Sequence, residues 1–361
     1  MPNVLTAEFH RRRSVAGLQK ITVRQKFENH TLVFLDYRIT DHKTYLLPDE
    51  NTPVQAKYGK SPTGVETFYG YVNHYETIVD EAGRALTRMV CLGTSKPMNA
   101  MHPNSWLGTT RSSIVRDIAR RYRLRSVVHS HPYVQDTWAT GARSDFHALV
   151  AAANEAGYRL WVDGATVWFL NPALVLRNAS SMSTPVITRR MLRSATVLGG
   201  SNIPGEMDPT LRRVQYGLDY RTNEPFLATS GDPSLPVQMT SSTVNTFGEA
   251  QQIAEAAERR QHEHFIFRAT LDGNALLHPG SQFGVESGRV NTDQGGLWLA
   301  TETQHEVSAT EFQTKVVASR GEDRLPLARV PATVRGATGI TRAIIRADNK
   351  WEAAFQEHLN G

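Results

Sequence analysis

Between Trp106 and Leu170 the hydrophobic pattern changes period repeatedly, and each change predicts an element. Over 112–124, Ile114, Ile118 and Tyr122 recur one helical turn apart, with basic residues on the other faces, which predicts a helix. After an expected strand, a second helix is predicted over 144–157, where Phe146, Leu149, Val150 and Ala153 fall at i, i+3, i+4 and i+7. Ser144 is placed as its N-cap, Asp145 sets negative charge in the first turn, and Gly157 stands where a left-handed C-cap ends a helix. Residues 158–170 then alternate about Asp163-Gly164, predicting a hairpin with a two-residue turn. In that register Val162 faces Ala165, Leu160 faces Val167 and Tyr158 faces Phe169, an apolar face throughout. The other face pairs Trp161 with Thr166 and Arg159 with Trp168, where a cation–π contact is available.

Strand patterns dominate on both sides of this α+β module. Alternating, β-branched and aromatic runs at 21–27, 31–40, 66–80 and 84–94 are separated by turn-prone segments at Glu28-Asn29, 47–53 and 59–64. Short strands at this spacing predict a compact barrel or sandwich. After the module, 185–198 reads as strand or short helix, 199–209 as turns, 212–221 as a strand and 225–236 as a loop. A helix is predicted over 246–260, with Thr246 and Glu249 as a capping box and a small-residue stripe of Ala250, Ile253, Ala254 and Ala257. Phe265, Phe267, Ala269 and Leu271 share one strand face, Asp272-Gly273 turns the chain, and 278–285 reads as turn then strand. Residues 297–309 and 310–320 form a predicted hairpin. Beyond Asp323 a Pro-, Gly- and Arg-dotted arm leads to a short amphipathic helix over 349–359. So short a helix is marginal alone, so Trp351, Phe355 and Leu359 are expected to dock on a partner or a neighbouring subunit.

The expected class is therefore α+β, mainly β. At 361 residues the chain exceeds what one core usually serves. The pattern divides it into a first β-rich unit (1–100), the α+β module (101–172), a second β-rich unit (173–323) and a C-terminal arm (324–361). No apolar run approaches the ~20 residues of a membrane span, and the N-terminus lacks a signal-peptide core, so no membrane insertion is expected. One cysteine, Cys91, excludes an intrachain disulfide and a cysteine-based metal cage. The net charge of +5 is scattered, with clusters at Arg11–Arg13, Arg120–Arg125 and Arg189–Arg193. No basic stripe with interleaved aromatics accompanies them, which argues against a duplex-DNA site.

Candidate chemistry is sparse. His129 and His131, like His262 and His264, have the i, i+2 spacing that can ligate zinc or iron if a third ligand approaches, yet no carboxylate or cysteine pattern supplies one. Glu302 and His305 lie three apart in an alternating strand, so they point to opposite faces and cannot form an acid–base pair. The hydroxyl runs at 180–184 and 240–243 lack a nucleophile elbow, and Gly199-Gly200 is not a phosphate loop. No catalytic, cofactor or metal residue is assigned.

The module resembles a known family. Ser113, Ile114, Ile118 and Ala119, then Ser144, Asp145, Phe146, Leu149, Ala152 and Gly157, then Trp161, Asp163 and Gly164 match the pattern of the late control protein D family. These are baseplate hub proteins of tailed phages, related to the N-terminal half of the type VI secretion spike protein VgrG. Pro279, Gly280, Trp298 and His305 match a later turn-and-strand motif of VgrG-like hubs, with Ala300 in place of the family's valine. The resemblance covers roughly residues 20–320 and rests on packing residues. It implies two barrels like tail-tube subunits and a homotrimer that adapts a sixfold tail tube to a threefold central spike. The partners it implies are a tube protein or tube-initiator, the spike as a separate polypeptide, and a wedge or tape-measure protein. DNA is expected only as passing cargo, with the Arg-rich surface partly lining its path. The expected location is the virion baseplate, after assembly in the host cytoplasm. Two alternatives remain: a tail-associated peptidoglycan hydrolase built around a carboxylate pair, and a sugar- or host-binding module using Trp106, Trp138, Trp161 and Trp168 in one groove.

Overall fold

The computed structural model describes residues 3–10, 14–38, 47–60, 64–79, 83, 85–172, 186–199, 212–218, 222–230, 234, 237–239, 246–261, 265–285 and 297–320. The expectations for 349–359, Arg11–Arg13, His262, His264 and the two hydroxyl runs lie outside them.

The first strands are β1 (Asn3–Phe9), β2 (Leu18–Lys26), β3 (Leu32–Tyr37), β4 (Pro53–Lys60), β5 (Gly64–Val79) and β6 (Ala85–Gly93). They pair antiparallel in the order β1-β4-β5-β6-β3-β2. Their inward rows, including Phe9, Ile21, Leu35, Tyr37, Val54 and Met89, bury one core. The sequence pattern missed β1 and β4. The first carries Thr6 and Glu8 among its apolar residues, and the second lies between two stretches whose prolines and glycines read as loop.

A second set comprises β12 (Val186–Ile187), β13 (Leu192–Gly199), β17 (Phe265–Asp272), β18 (Gln282–Val285), β19 (Leu297–Ser308) and β20 (Phe312–Arg320). Its order is β12-β18-β19-β20-β17-β13 around a core that includes Phe267, Leu271, Phe283 and Trp298. Numbered in chain order within each set, both read 1-4-5-6-3-2. The irregularities coincide as well. Strand two bulges between Leu18 and Lys20 in one set and between Leu192 and Ser194 in the other. Strand five bulges between Val72 and His74, and between Ala300 and Glu302. Bulges are set by backbone hydrogen bonding, so their recurrence marks a duplicated unit. One difference is the first strand, antiparallel to the fourth in the first set and parallel in the second. β2 pairs with β19 from Lys26↔Glu302 to Lys20↔Ser308, which makes the two units one 12-stranded sheet.

Between the units lies the module: β7 (Ser105–Thr110), α1 (Arg111–Arg121), β8 (Arg125–Val128), β9 (Val134–Ala139), α2 (Asp145–Ala156), β10 (Arg159–Asp163) and β11 (Thr166–Leu170). Both helices pack on one face of the β10-β11-β8 sheet, and β7 pairs with β9. The expected hairpin register is corrected by one step. The loop is Gly164-Ala165, with Gly164 at φ 51°, and Asp163 pairs with Thr166. Trp161 therefore faces Trp168, and their rings stack at 5.4 Å and 3°. Arg159 lies over the Phe27 ring at 5.7 Å and beside Glu28 at 3.6 Å rather than against Trp168. The physical reason is that this sheet is buried on both faces: Leu160, Val162, Val167 and Phe169 face the helices, while Trp161, Trp168 and Leu170 pack on Phe27 and Leu299. Matching the two indoles on the second face outweighs an Asp-Gly turn.

A smaller sheet, β14 (Arg212–Leu218), β15 (Pro225–Ser230) and β16 (Val237–Met239), packs on α3 (Phe247–Gln261). Part of the expected 225–236 loop is thus strand. Pro225 opens it at the sheet edge, where a missing N–H costs nothing, and Phe226 and Ala228 face the helix.

Candidate assembly site

Of the sequence-matched residues, Trp161, Asp163, Gly164, Pro279 and Gly280 lie at the joint between the hairpin and the seam of the two units. Gly280 adopts φ 83°, donates its N–H to Ala300 O at 2.8 Å, and would set a Cβ 2.5 Å from the Trp161 ring. Trp161 occupies the space that glycine leaves, next to the buried Pro279. Gln25 of β2 ties the joint together. Its Nε2 donates to Asp163 Oδ1 at 3.1 Å, and its Oε1 accepts from His278 Nδ1 at 3.1 Å and Thr303 Oγ1 at 3.4 Å. Backbone carbonyls of the hairpin accept from Thr31 Oγ1 (to Val162 O, 3.1 Å), Thr94 Oγ1 (to Gly164 O, 2.5 Å) and Glu28 N (to Leu160 O, 2.7 Å). A cavity of about 20 Å³ between these groups has room for one water.

His305 and Trp298 support this joint from the second unit. His305 is fully buried, with Nε2–H donating to Leu277 O at 2.9 Å and Nδ1 meeting Thr314 Oγ1 at 3.0 Å. Burial, helped by neighbouring His278, pushes its pKa down to about 3, so the ring is neutral. Trp298 is equally buried, against Phe267, with the Arg320 guanidinium 4.8 Å from its ring.

In the module, Ile114, Ile118 and Leu149 are fully buried in the helix–sheet core. Ser144 caps α2, its Oγ accepting the His147 N–H at 3.3 Å. Asp145 does more than complement the helix dipole. It is buried and accepts from Arg121 at 2.9 Å, Tyr122 Oη at 2.7 Å and Asn104 Nδ2 at 3.0 Å. Phe146 stacks on His30 at 3.7 Å, and His30 bonds Ser95 at 2.7 Å and Asn99 at 2.9 Å, which fastens α2 to the first unit. Gly157 caps α2 at φ 68°, where a Cβ would lie 2.9 Å from Cβ of Ala256 on α3.

One cluster had no sequence signal. Arg111 opens α1, where a basic residue reads as solvated, yet it is buried. It contacts Glu155 closely, lies 3.5 Å from Glu249, and sits 5.0 Å from the Trp138 ring. Burial raises the Glu155 pKa, opposed by Arg111. Thr246 caps α3 through the Glu249 N–H at 3.3 Å, and the Glu249 carboxylate meets Arg111 and Gln135. It ties α3 to the module.

Among the described residues, the aromatic groove, the Glu302–His305 pair and the His129–His131 site do not assemble. Trp138, Trp161 and Trp168 are buried, and Trp106 is half-buried with Nε1 on Asp117 at 3.0 Å, so no groove gathers the four rings. Glu302 lies on the surface beside Arg24 at 3.0 Å and Lys26 at 3.6 Å, on the face opposite His305. His129 accepts from Asn171 N at 3.1 Å while His131 is buried, and among the described residues no three metal-ligating side chains converge. Among them also, no helix is long and apolar enough to cross a membrane.

No family model and no curated protein matches the chain. Solved structures do. A tail protein from Neisseria meningitidis MC58 aligns with a TM-score of 0.63 at 10% identity, over 89% of this chain and 97% of its own. The chain has the fold of bacteriophage tail proteins. The 43 kDa tail protein of prophage MuSo2 from Shewanella oneidensis gives 0.63 at 11%, over 88% and 98%. An E. coli type VI secretion component described as similar to T4 bacteriophage tail proteins gp27 and gp5 gives 0.53 at 10%, over 92% and 78%. The likeness thus runs across both units and the module.

Proposed function

We propose that this chain is a structural, non-enzymatic hub of a phage tail baseplate or related contractile injection machine. The observation that carries the reading is the duplicated unit. A chain holding two copies of one six-stranded unit, already joined through β2 and β19, lets three chains present six units. Such a homotrimer matches a sixfold tube on one side and a threefold spike on the other. The shared fold with tail proteins supports the same reading. Its partners are a tail tube protein or tube-initiator, a central spike, and a wedge or tape-measure protein. DNA is cargo in transit. The working divisions are 1–100, 101–172, 173–323 and 324–361, with Trp351, Phe355 and Leu359 docking on a partner. The site is the virion baseplate, reached from the host cytoplasm.

Light scattering on the purified chain, with negative-stain averages of the main peak, tests this. A mass of three chains and a ring with near-sixfold appearance is the expected result. A stable monomer that also ignores tube and spike proteins overturns it.

A further inference from the structure

The small sheet carries apolar side chains on both faces. Phe226 and Ala228 of β15 face α3, as a sheet packed on a helix requires. Where nothing lies against it, the opposite row of such a sheet is normally polar. From Tyr216 onward it is not. Tyr216 pairs with Leu227 and Leu218 with Pro225, and Tyr216, Leu218 and Leu227 are 54%, 47% and 56% exposed. Two adjoining cross-strand pairs thus make one apolar patch, and contiguous exposed patches of this kind mark interaction sites.

The chain carries a complement to this patch. Residues 349–359 place Trp351, Phe355 and Leu359 at i, i+4 and i+8, a stripe ~12 Å long in a helix, enough to cross both strands. So short a helix is marginal without a surface to lie on. The path of the chain brings the two together. Gly199 pairs with Phe265 and Phe265 with Arg320, so the end of β13, the start of β17 and the end of β20 lie side by side. The small sheet and α3 are inserted between β13 and β17, and the C-terminal arm begins where β20 ends. Both therefore leave the second unit from one place. Residues 321–348 link the segment to β20 and span up to ~90 Å when fully extended, so the patch is within reach.

We infer that, in the free chain, segment 349–359 lies as a helix across β14 and β15, with Trp351, Phe355 and Leu359 against Tyr216, Leu218 and Leu227. Tethering decides the occupant. A covalent link of this length holds the segment at an effective concentration of about a millimolar, above that of another chain in micromolar solution. The inference goes beyond the hub reading and does not depend on it. A partner that engages Trp351, Phe355 and Leu359 on assembly displaces them from this seat and uncovers the patch.

Cross-linking within the full chain tests it. Leu227→Cys and Phe355→Cys are introduced together, treated with a short bismaleimide, and the product is read by peptide mass spectrometry. Mixing isotopically labelled with unlabelled chain separates intrachain from interchain links. The native Cys91 is fully buried and burial pushes its thiol pKa up, so it does not compete. The expected product is an intrachain link, several-fold above that of Leu227→Cys with Glu357→Cys, which lies on the far side of the helix. It also exceeds, several-fold, that of Phe355→Cys with Leu107→Cys, an apolar position 75% exposed on β7. Adding Tyr216→Ser and Leu218→Ser, both at exposed positions, cuts the yield several-fold, with circular dichroism verifying that the chains fold. Comparable yields for all three pairs, or a yield that ignores the two serines, overturns the seat. A mainly interchain link gives the patch to a second copy and overturns it as well. Assembly state is read separately by light scattering, so each of these results leaves the hub reading standing.

Discussion

Asn51 and Gly280 hold the same place in two copies of one unit. Both lie in the left-handed region, at φ 66° and 83°, and each donates its N–H at 2.8 Å to the bulge-flanking carbonyl of strand five, Val72 O and Ala300 O. The next residues, Thr52 and Ser281, return the bond by accepting from Val72 N at 2.9 Å and Ala300 N at 2.8 Å. The turn is therefore a property of the unit. What differs is the neighbour: at Gly280 the Trp161 ring stands where a side chain would go.

That difference sets opposite tolerances. Asn51→Gly is expected to change stability by less than about 0.5–1 kcal/mol, because asparagine already suits the left-handed region. Gly280→Asn is expected to cost more than ~2 kcal/mol by driving Trp161 from its seat. Urea midpoints for the two variants decide the matter, and similar values for both would refute it.

The Trp161–Trp168 stack joins the hairpin to the seam. Trp161→Ala is expected to lose about 3–5 kcal/mol, with the largest rise in amide exchange across β10 and β2. Trp168→Phe should lose far less, because Trp168 Nε1 is buried without a partner among the described residues and its removal recovers part of the lost packing. Equal losses for the two variants would contradict the stacking account.

Gln25 satisfies three polar groups from three segments. Gln25→Leu keeps the volume but strands Asp163, His278 and Thr303, so a loss of about 2–3 kcal/mol is expected. Gln25→Glu should be worse still, since it sets a carboxylate against Asp163. Thermal unfolding of both variants checks the order.

Acid should destabilise the fold in two windows. His305 is held neutral, its pKa lowered from 6.5 to about 3, so the unfolded chain binds the proton first and stability falls as pH drops below 6.5. Glu306 is partly buried, which alone would raise its pKa, but hydrogen bonds from Lys20 (2.7 Å) and Lys315 (2.6 Å) bring it from 4.5 to about 2. Its contribution is complete above 4.5 and is lost as pH falls through 2. Urea midpoints between pH 7.5 and 5 should fall for the native chain and fall less steeply in His305→Gln, with His30 and His129, whose pKa values burial also lowers, carrying the remainder. Glu306→Gln should leave that upper window unchanged.

Local periodicity determined much of this protein. The helices α1, α2 and α3, the caps Ser144, Gly157 and Thr246, and the membership of each hairpin face follow from side-chain spacing and backbone preference, which act within a few residues. The family pattern likewise marked residues at the joint, including Trp161, Asp163 and Gly280. Only the tertiary structure decided the hairpin register, because Trp161 and Trp168 are matched by a surface formed by Phe27 and Leu299, distant in sequence. It also decided a partner of Glu249, a buried arginine on another helix. The duplicated unit was equally hidden. Ile21 corresponds to Ala195 and Val72 to Ala300, so side chains had diverged while the strand order and bulges persisted. A strand order is written in backbone hydrogen bonds between distant segments, and those carry no residue-by-residue signature in the chain.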